Sequence, residues 1–288
     1  MSAPTTSPIA GRTPWGARLR LPRWPVARVL AVLILGGTVL VAAFPGWFVH
    51  YQPLALHPER VLQGPGEASV LGTDQYGRSL VGLLVYGARN SVLIGLVSVV
   101  VGLLIGGGIG LVAGFVGGVV DNVLMRIVDI MLCFPGILLA LLVSAALGAS
   151  LRNVIIAVAI GQVPEYARVM RGQVLAVRSR LFVEAASAAG VHPRRIVFRH
   201  VLPNAMAPVM VVATLGVGHA IVSGATLSFL GVGPQGGIPD WGRLLASGGS
   251  YMATAWWIST FPGLVVTVVV VAVNIFGDWL RDRMDVAR

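Results

Sequence analysis

The residues best able to do chemistry in this 288-residue chain are gathered in one polar stretch, Phe182 to Asn204, which reads FVEAASAAGVHPRRIVFRHVLPN. Glu184, Ala185 and Ala186 open it and Gly190 divides it. Pro193, Arg194, Arg195 and Arg199 follow, and Leu202 and Pro203 close it. These types in this order make no nucleophile, no acid–base pair and no metal cage. What they offer is docking. Ala185, Ala186, Ala188 and Ala189 form helix readily and add little bulk, so a short helix built from them can enter a shallow groove. Glu184 in the first turn suits the helix dipole and can accept from an Arg of another protein. Gly190 permits the reversal that ends this helix, and Pro193 suits the first turn of a second. A helix lying on lipid is the rival reading. Alanine buries too little area for that, at about 25 cal/mol per Å².

Catalytic signatures are missing from the sequence. No GxxxxGK[ST] phosphate loop occurs, so the chain is expected not to hydrolyse ATP itself. HExxH and GxSxG are absent too. His50, His57, His192, His200 and His219 are scattered and suggest no metal cluster. The net charge of +10 comes from 21 basic residues, all Arg, but their positions beside apolar runs argue for a membrane partner and against nucleic acid. Cys133 is alone, so no intrachain disulfide can form.

These residues must be positioned by membrane helices. The chain is 56% hydrophobic and only 11% charged, against about 25% in a soluble domain. Several continuous apolar runs reach about 20 residues, long enough to cross about 30 Å of hydrocarbon as helix and too long for barrel strands. The expected fold is all-α, a polytopic membrane protein with six spans: Val26 to Phe48, Ala88 to Phe115, Val119 to Leu147, Val154 to Met170, Ala205 to Leu230 and Ala255 to Phe276. Residues 1–28 are expected to be a cytoplasmic tail ahead of a retained first span, and residues 29–288 one transmembrane domain. The polar stretch falls in an inner loop at about 171–203. With both termini inside, the three inner segments carry fifteen of the Arg residues, as the positive-inside rule requires.

Within this frame several polar residues need an account. Asp129 near hydrocarbon costs about 2.5–3.5 kcal/mol and must pair or face water. Arg126, three residues earlier, is its expected partner, and Glu165 is expected to pair with Arg168 by the same spacing. Pro135 is expected to interrupt the third span. Gln162, Pro164 and Glu165 are expected to break the fourth. Thr73 or Asp74 is expected to cap a short surface helix over Arg78 to Tyr86, with Leu80, Leu83 and Leu84 inward. The second span holds Gly95, Gly102, Gly106, Gly107, Gly108, Gly110 and Gly114, and close helix packing explains these better than a special role.

Glu184-Ala185-Ala186, Gly190, Ile196 and Leu202-Pro203 in this spacing resemble the EAA loop of binding-protein-dependent ABC importer permeases. LGTDQYGRSL with YGAR, VLMRIVDIMLCFP, YARVMRGQVL, SFLGVG, AWWISTFPGL and NIFGDWLRDRMD resemble the C-type permease of dipeptide, oligopeptide and nickel importers. The likeness runs from about Leu71 onward. Ser79, Gly82-Leu83 and Val286 depart from it, standing where Asp, Ser-Arg and Pro are common. The resemblance implies a permease subunit that forms half of a translocation path. It implies a homologous second permease, two ATP-binding subunits or domains that hold ATP and Mg, and an extracytoplasmic substrate-binding protein, all at a bacterial inner membrane. It implies that Glu184, Ala185, Ala186, Gly190, Pro193, Arg194, Arg195, Leu202 and Pro203 couple to the ATPase. Asp74, Gln75, Gly77, Arg78, Pro239 and Trp241 become candidates for receptor docking or an outer gate. No cofactor is expected on this chain itself. Di- and oligopeptides are the expected cargo, with a nickel or other metal chelate as the alternative. A proton-coupled secondary transporter using Asp129 or Glu165 is the competitor from another class, but no repeated halves are visible.

Overall fold

A computed structural model describes residues 25–66 and 69–286. Most of the expected tail, residues 1–24, lies outside the described residues. The helices are α1 (Pro25–Ala43), α2 (Leu80–Val116), α3 (Gly118–Leu132), α4 (Gly136–Leu147), α5 (Leu151–Arg178), α6 (Leu181–Ala188), α7 (Pro193–Ile196), α8 (Leu202–Phe229), α9 (Trp241–Gly249) and α10 (Trp257–Val286). No strand forms among the described residues beyond two isolated bridges.

Four described helical runs are long and apolar enough to cross a membrane: Val26–Ala43, Leu80–Val116, Pro193–Phe229 and Trp257–Met284. The third expected span is a bent pair, α3 and α4, meeting at 88°. Pro135 at its break explains the interruption, because proline cannot continue the helix before it. Helix α5 has the length for a crossing but is too polar to count on composition alone.

Two expected breaks do not occur. Helix α5 continues through Pro164, which is buried, so packing on both sides holds the helix across the missing backbone bond. Ser150 caps its start by accepting from the Asn153 N–H. The expected surface helix before the second span is instead the first part of α2 itself. Its N-cap is Ser79, not Thr73 or Asp74. Leu80, Leu83 and Leu84 do point inward, into a core with Trp241, Leu244, Trp257 and Ile258.

The glycines of α2 set the closest helix packing. A Cβ on Gly102, Gly106, Gly110 or Gly114 would stand 3.0, 2.4, 2.2 or 3.1 Å from the carbonyl oxygens of Ala159, Val163, Ala167 and Arg171. These four glycines, each one turn after the last, form a groove in which α5 lies backbone to backbone. Ser98 reinforces it by donating to the Ile155 carbonyl at 3.1 Å. On its other side α5 is tied to α8. Tyr166, fully buried, donates to Gln162 Oε1 at 2.9 Å, and Gln162 Nε2 donates to the Gly216 carbonyl at 3.2 Å.

Candidate functional site

The polar stretch folds as two short helices at the end of α5. Ser179 and Arg180 turn the chain, and α6 begins at Leu181. Gly190 sits at φ +74°, a conformation that costs a side-chain-bearing residue about 1–2 kcal/mol. There the Val191 N–H donates to the Ala186 carbonyl at 3.1 Å and the Gly190 N–H to the Ser187 carbonyl at 3.0 Å. This pair of bonds satisfies the open carbonyls of α6. His192 then caps α7 through its ring nitrogen and the Arg194 N–H, with Pro193 in the first turn.

One expectation about this stretch is corrected. Leu202 and Pro203 do not close a separate helix. Residues Val197–Val201 form a π-type turn that runs directly into α8, and Pro203 occupies the first turn of α8, where its missing N–H is not needed. The run Pro193–Phe229 is therefore continuous over 37 residues. At a rise of about 1.5 Å per residue it reaches from the polar stretch to the opposite end of the bundle. The expected loop at 171–203 is also shorter than it looked, since α5 runs on to Arg178.

Two buried side chains pin the element down. Val183 of α6 and Ile196 of α7 join a core with Met170, Val174 and Val177 of α5 and Val201, Ala205 and Val209. The other face is open. Glu184, Ala185, Ala188, Ala189 and Gly190 are exposed, as are Pro193, Arg194 and Arg195. Leu181, at 83% exposure, and Phe198 also project outward. The site is thus a small-residue surface with an apolar and cationic edge, fixed at its back to α5 and α8.

The outer candidates form two locked turns. The Asp74 carboxylate, 1% exposed, accepts from the N–H groups of Tyr76 and Arg78 and from the Arg78 guanidinium, with contacts at 2.6 to 2.9 Å. Gly77 has φ +73° where the turn presses on the His57 carbonyl. The Gln75 Oε1 atom is buried without a partner. The Trp257 indole donates to the Thr73 carbonyl at 3.0 Å and so ties this turn to α10. In the second turn, the Pro239 carbonyl lies against Gly87. Trp241 is buried, and its indole donates to the Leu84 carbonyl at 3.0 Å. Asp74, Arg78 and Trp241 therefore spend their polar groups inside the protein.

Asp240 is a residue the sequence reading passed over. It is 2% exposed and caps α9, accepting from the N–H groups of Gly242 and Arg243 and from the Ser228 hydroxyl at 2.9 Å. Burial pushes its carboxyl above the ordinary value, against the pull of these hydrogen bonds. An Asp immediately before Trp-Gly-Arg is a readable capping signal.

The charges on α3 and α5 pair across helices and not along them. Asp129 pairs with Arg168 at 2.6 Å, and neither the Arg126–Asp129 nor the Glu165–Arg168 pair forms. Arg126 and Glu165 are exposed. The reason is the crossing of α3 over α5, which brings together side chains 39 positions apart. A second pair, Asp121 with Arg171, joins the same two helices.

Residues 106–286 match the family described as binding-protein-dependent transport system inner membrane component. The dipeptide transport system permease protein of Alkalihalophilus pseudofirmus is 38% identical over 99% of this chain and 93% of its own. The di/tripeptide transport system permease protein of Pseudomonas aeruginosa is 43% identical over 86% of this chain and 84% of its own. Among solved structures, an inward-facing form of the MetNI methionine ABC transporter aligns with TM-score 0.59 at 21% identity, covering 70% of this chain and 96% of that one, a likeness of fold alone. The chain belongs to the binding-protein-dependent transport system inner membrane components.

Proposed function

We propose that this chain is a permease subunit of an ATP-driven, binding-protein-dependent importer of di- and oligopeptides, seated in a bacterial inner membrane. In this reading α1, α2, the bent pair α3–α4, α5, α8 and α10 are six crossings, and both termini lie inside. The polarity of α5 is tolerated because α2 and α8 enclose it. The chain supplies half of the path. A homologous second permease supplies the other half, two partner subunits bind ATP and Mg, and an extracytoplasmic protein delivers cargo. The kinship with dipeptide and di/tripeptide permeases favours peptide over a metal chelate.

The observation that carries the proposal is the α6–Gly190–α7 element. Its exposed face is built from Glu184, Ala185 and Ala188, and its back is anchored by Val183 and Ile196. A partner groove closing on that face moves α5 and α8 together, because α6 continues from one and α7 runs into the other. Nucleotide binding and hydrolysis in the partners then alternate the access of the path. Two variants test this in vesicles reconstituted with the intact assembly. Glu184→Lys and Gly190→Pro should each lower ATP-driven uptake of a labelled dipeptide at least tenfold, with insertion unchanged. Normal uptake by both variants sinks the assignment, and uptake of a nickel chelate without any dipeptide uptake corrects the cargo.

A further inference from the structure

Helix α3 has little apolar hold on the rest of the molecule. Among its residues only Val128 is buried, while Val119, Val120, Val123, Ile127 and Ile130 are all exposed. Its polar attachment to α5 falls at two points. The Arg171 guanidinium meets the Asp121 carboxylate in a two-pronged contact, Nε to Oδ1 at 2.5 Å and Nη2 to Oδ2 at 2.6 Å. Arg168 Nη2 meets Asp129 Oδ1 at 2.6 Å.

The spacing of these points has a mechanical meaning. The two carboxylates are eight positions apart on α3, about 12 Å along its axis, and the two guanidinium groups are three apart on α5, about 4.5 Å. The order is reversed, with the earlier carboxylate paired to the later arginine. Two points at unequal spacing fix both the position of α3 on α5 and its direction across it. With one point alone, the direction of α3 across α5 would rest on Val128 and the Gly117 junction with α2.

The two contacts differ in strength. The Asp121 and Arg171 side chains are 13% and 34% exposed, and the planar fork of arginine matches the carboxylate in a paired contact. The Asp129 and Arg168 side chains are 52% and 59% exposed and share one short bond. An exposed single contact is readily replaced by water and salt.

We propose that Arg171 and Asp121 form a fixed joint through which α5 carries the bent pair α3–α4, and that Arg168 and Asp129 form a releasable contact that sets the angle of α3 about that joint. The proposal rests on the importer reading above. Helix α5 passes directly into the docking element, and Arg171 lies two turns before its end. Displacement of that element by a partner therefore reaches α3 through Arg171. When α3 swivels, α4 follows across the 88° bend. Arg171 and Asp121 are positioning residues here and need touch no cargo.

The test uses the whole assembly, co-purified and reconstituted, with dipeptide uptake and ATP hydrolysis measured on the same vesicles. Arg171→Ala should lower uptake at least tenfold while ATP hydrolysis stays within about twofold, the signature of uncoupling. The exchanged pair, Arg171→Asp with Asp121→Arg, should restore uptake to within about threefold of the natural chain. Asp129→Asn should leave the joint intact and make uptake less sensitive to salt. Arg171→Ala with unchanged uptake overturns the joint, as does an exchanged pair that inserts and assembles but stays uncoupled. The natural chain, measured alongside, separates the two levels: if it shows no ATP-driven uptake, the importer reading fails first and the joint falls with it.

Discussion

The glycine groove of α2 gives a prediction of opposite signs at neighbouring positions. A Cβ at Gly110 would lie 2.2 Å from the Ala167 carbonyl oxygen, 2.9 Å from the Arg171 nitrogen and 2.9 Å from Met170 Cβ. An ordinary contact begins near 3.4 Å, so the helices must separate by about 1.2 Å or the groove must distort. Two of the three obstacles are backbone and cannot rotate away. Overpacking of this kind costs about 1–3 kcal/mol, and rigid neighbours place Gly110→Ala toward the upper end. Alanine recovers up to about 1 kcal/mol through its better helix propensity, leaving a net loss of about 2 kcal/mol. Gly108, two residues earlier, has nothing within 4 Å of its Cβ position. Gly108→Ala should keep the propensity gain alone and stabilise by up to about 1 kcal/mol. The two variants thus differ by about 3 kcal/mol. At about 2–4 °C per kcal/mol for a chain of this size, their melting midpoints should stand about 6–12 °C apart. Thermal unfolding in detergent micelles measures this directly. Equal midpoints for the two variants would refute backbone-to-backbone packing of α2 on α5.

Two further outcomes follow from buried polar contacts. Asp240→Ala leaves the Ser228 hydroxyl and the Gly242 and Arg243 N–H groups without their acceptor, and should cost about 2–3 kcal/mol in thermal unfolding, whereas Asp240→Asn keeps an acceptor and should cost about 1 kcal/mol. Because burial raises the folded-state value of Asp240, its proton favours the folded form: its contribution is fully present below the ordinary value of 3.8 and is lost as pH rises through the raised one, a slope that Asp240→Asn should abolish. Gly216→Ala would set a Cβ 2.1 Å from the Tyr166 hydroxyl oxygen and should cost about 2 kcal/mol alone. In a Tyr166→Phe background the nearest ring atom is the Cζ at 3.3 Å, so the same substitution should cost under about 1 kcal/mol, and a double-mutant cycle without that relief would rule out the contact.

What the sequence made readable was local. The Gly190 reversal and the Pro193 start come from neighbouring residues, and both stand where the spacing put them. The all-helical membrane class was readable for a similar reason, since an apolar run of sufficient length needs no knowledge of its neighbours. Pro135 and Pro164 mark the limit of that logic. Each removes the same backbone donor, yet one stands at an 88° bend and the other lies inside an unbroken helix. The difference is the surroundings: α4 begins after Pro135 where α3 has a single buried residue, Val128, while Pro164 is buried next to the Gly106 groove and the Tyr166–Gln162–Gly216 chain of hydrogen bonds. The ion pairs failed to show in the sequence for the same reason. Spacing of three along one helix offers Arg126 to Asp129, but a pair along one helix is worth only about 0.2–0.5 kcal/mol and yields to any better partner that folding delivers. Arg168, 39 positions away, is that partner. Residues whose role is to hold one helix on another can therefore be found only once the helices are placed, and in this chain Asp121, Asp129, Arg168 and Arg171 are such residues.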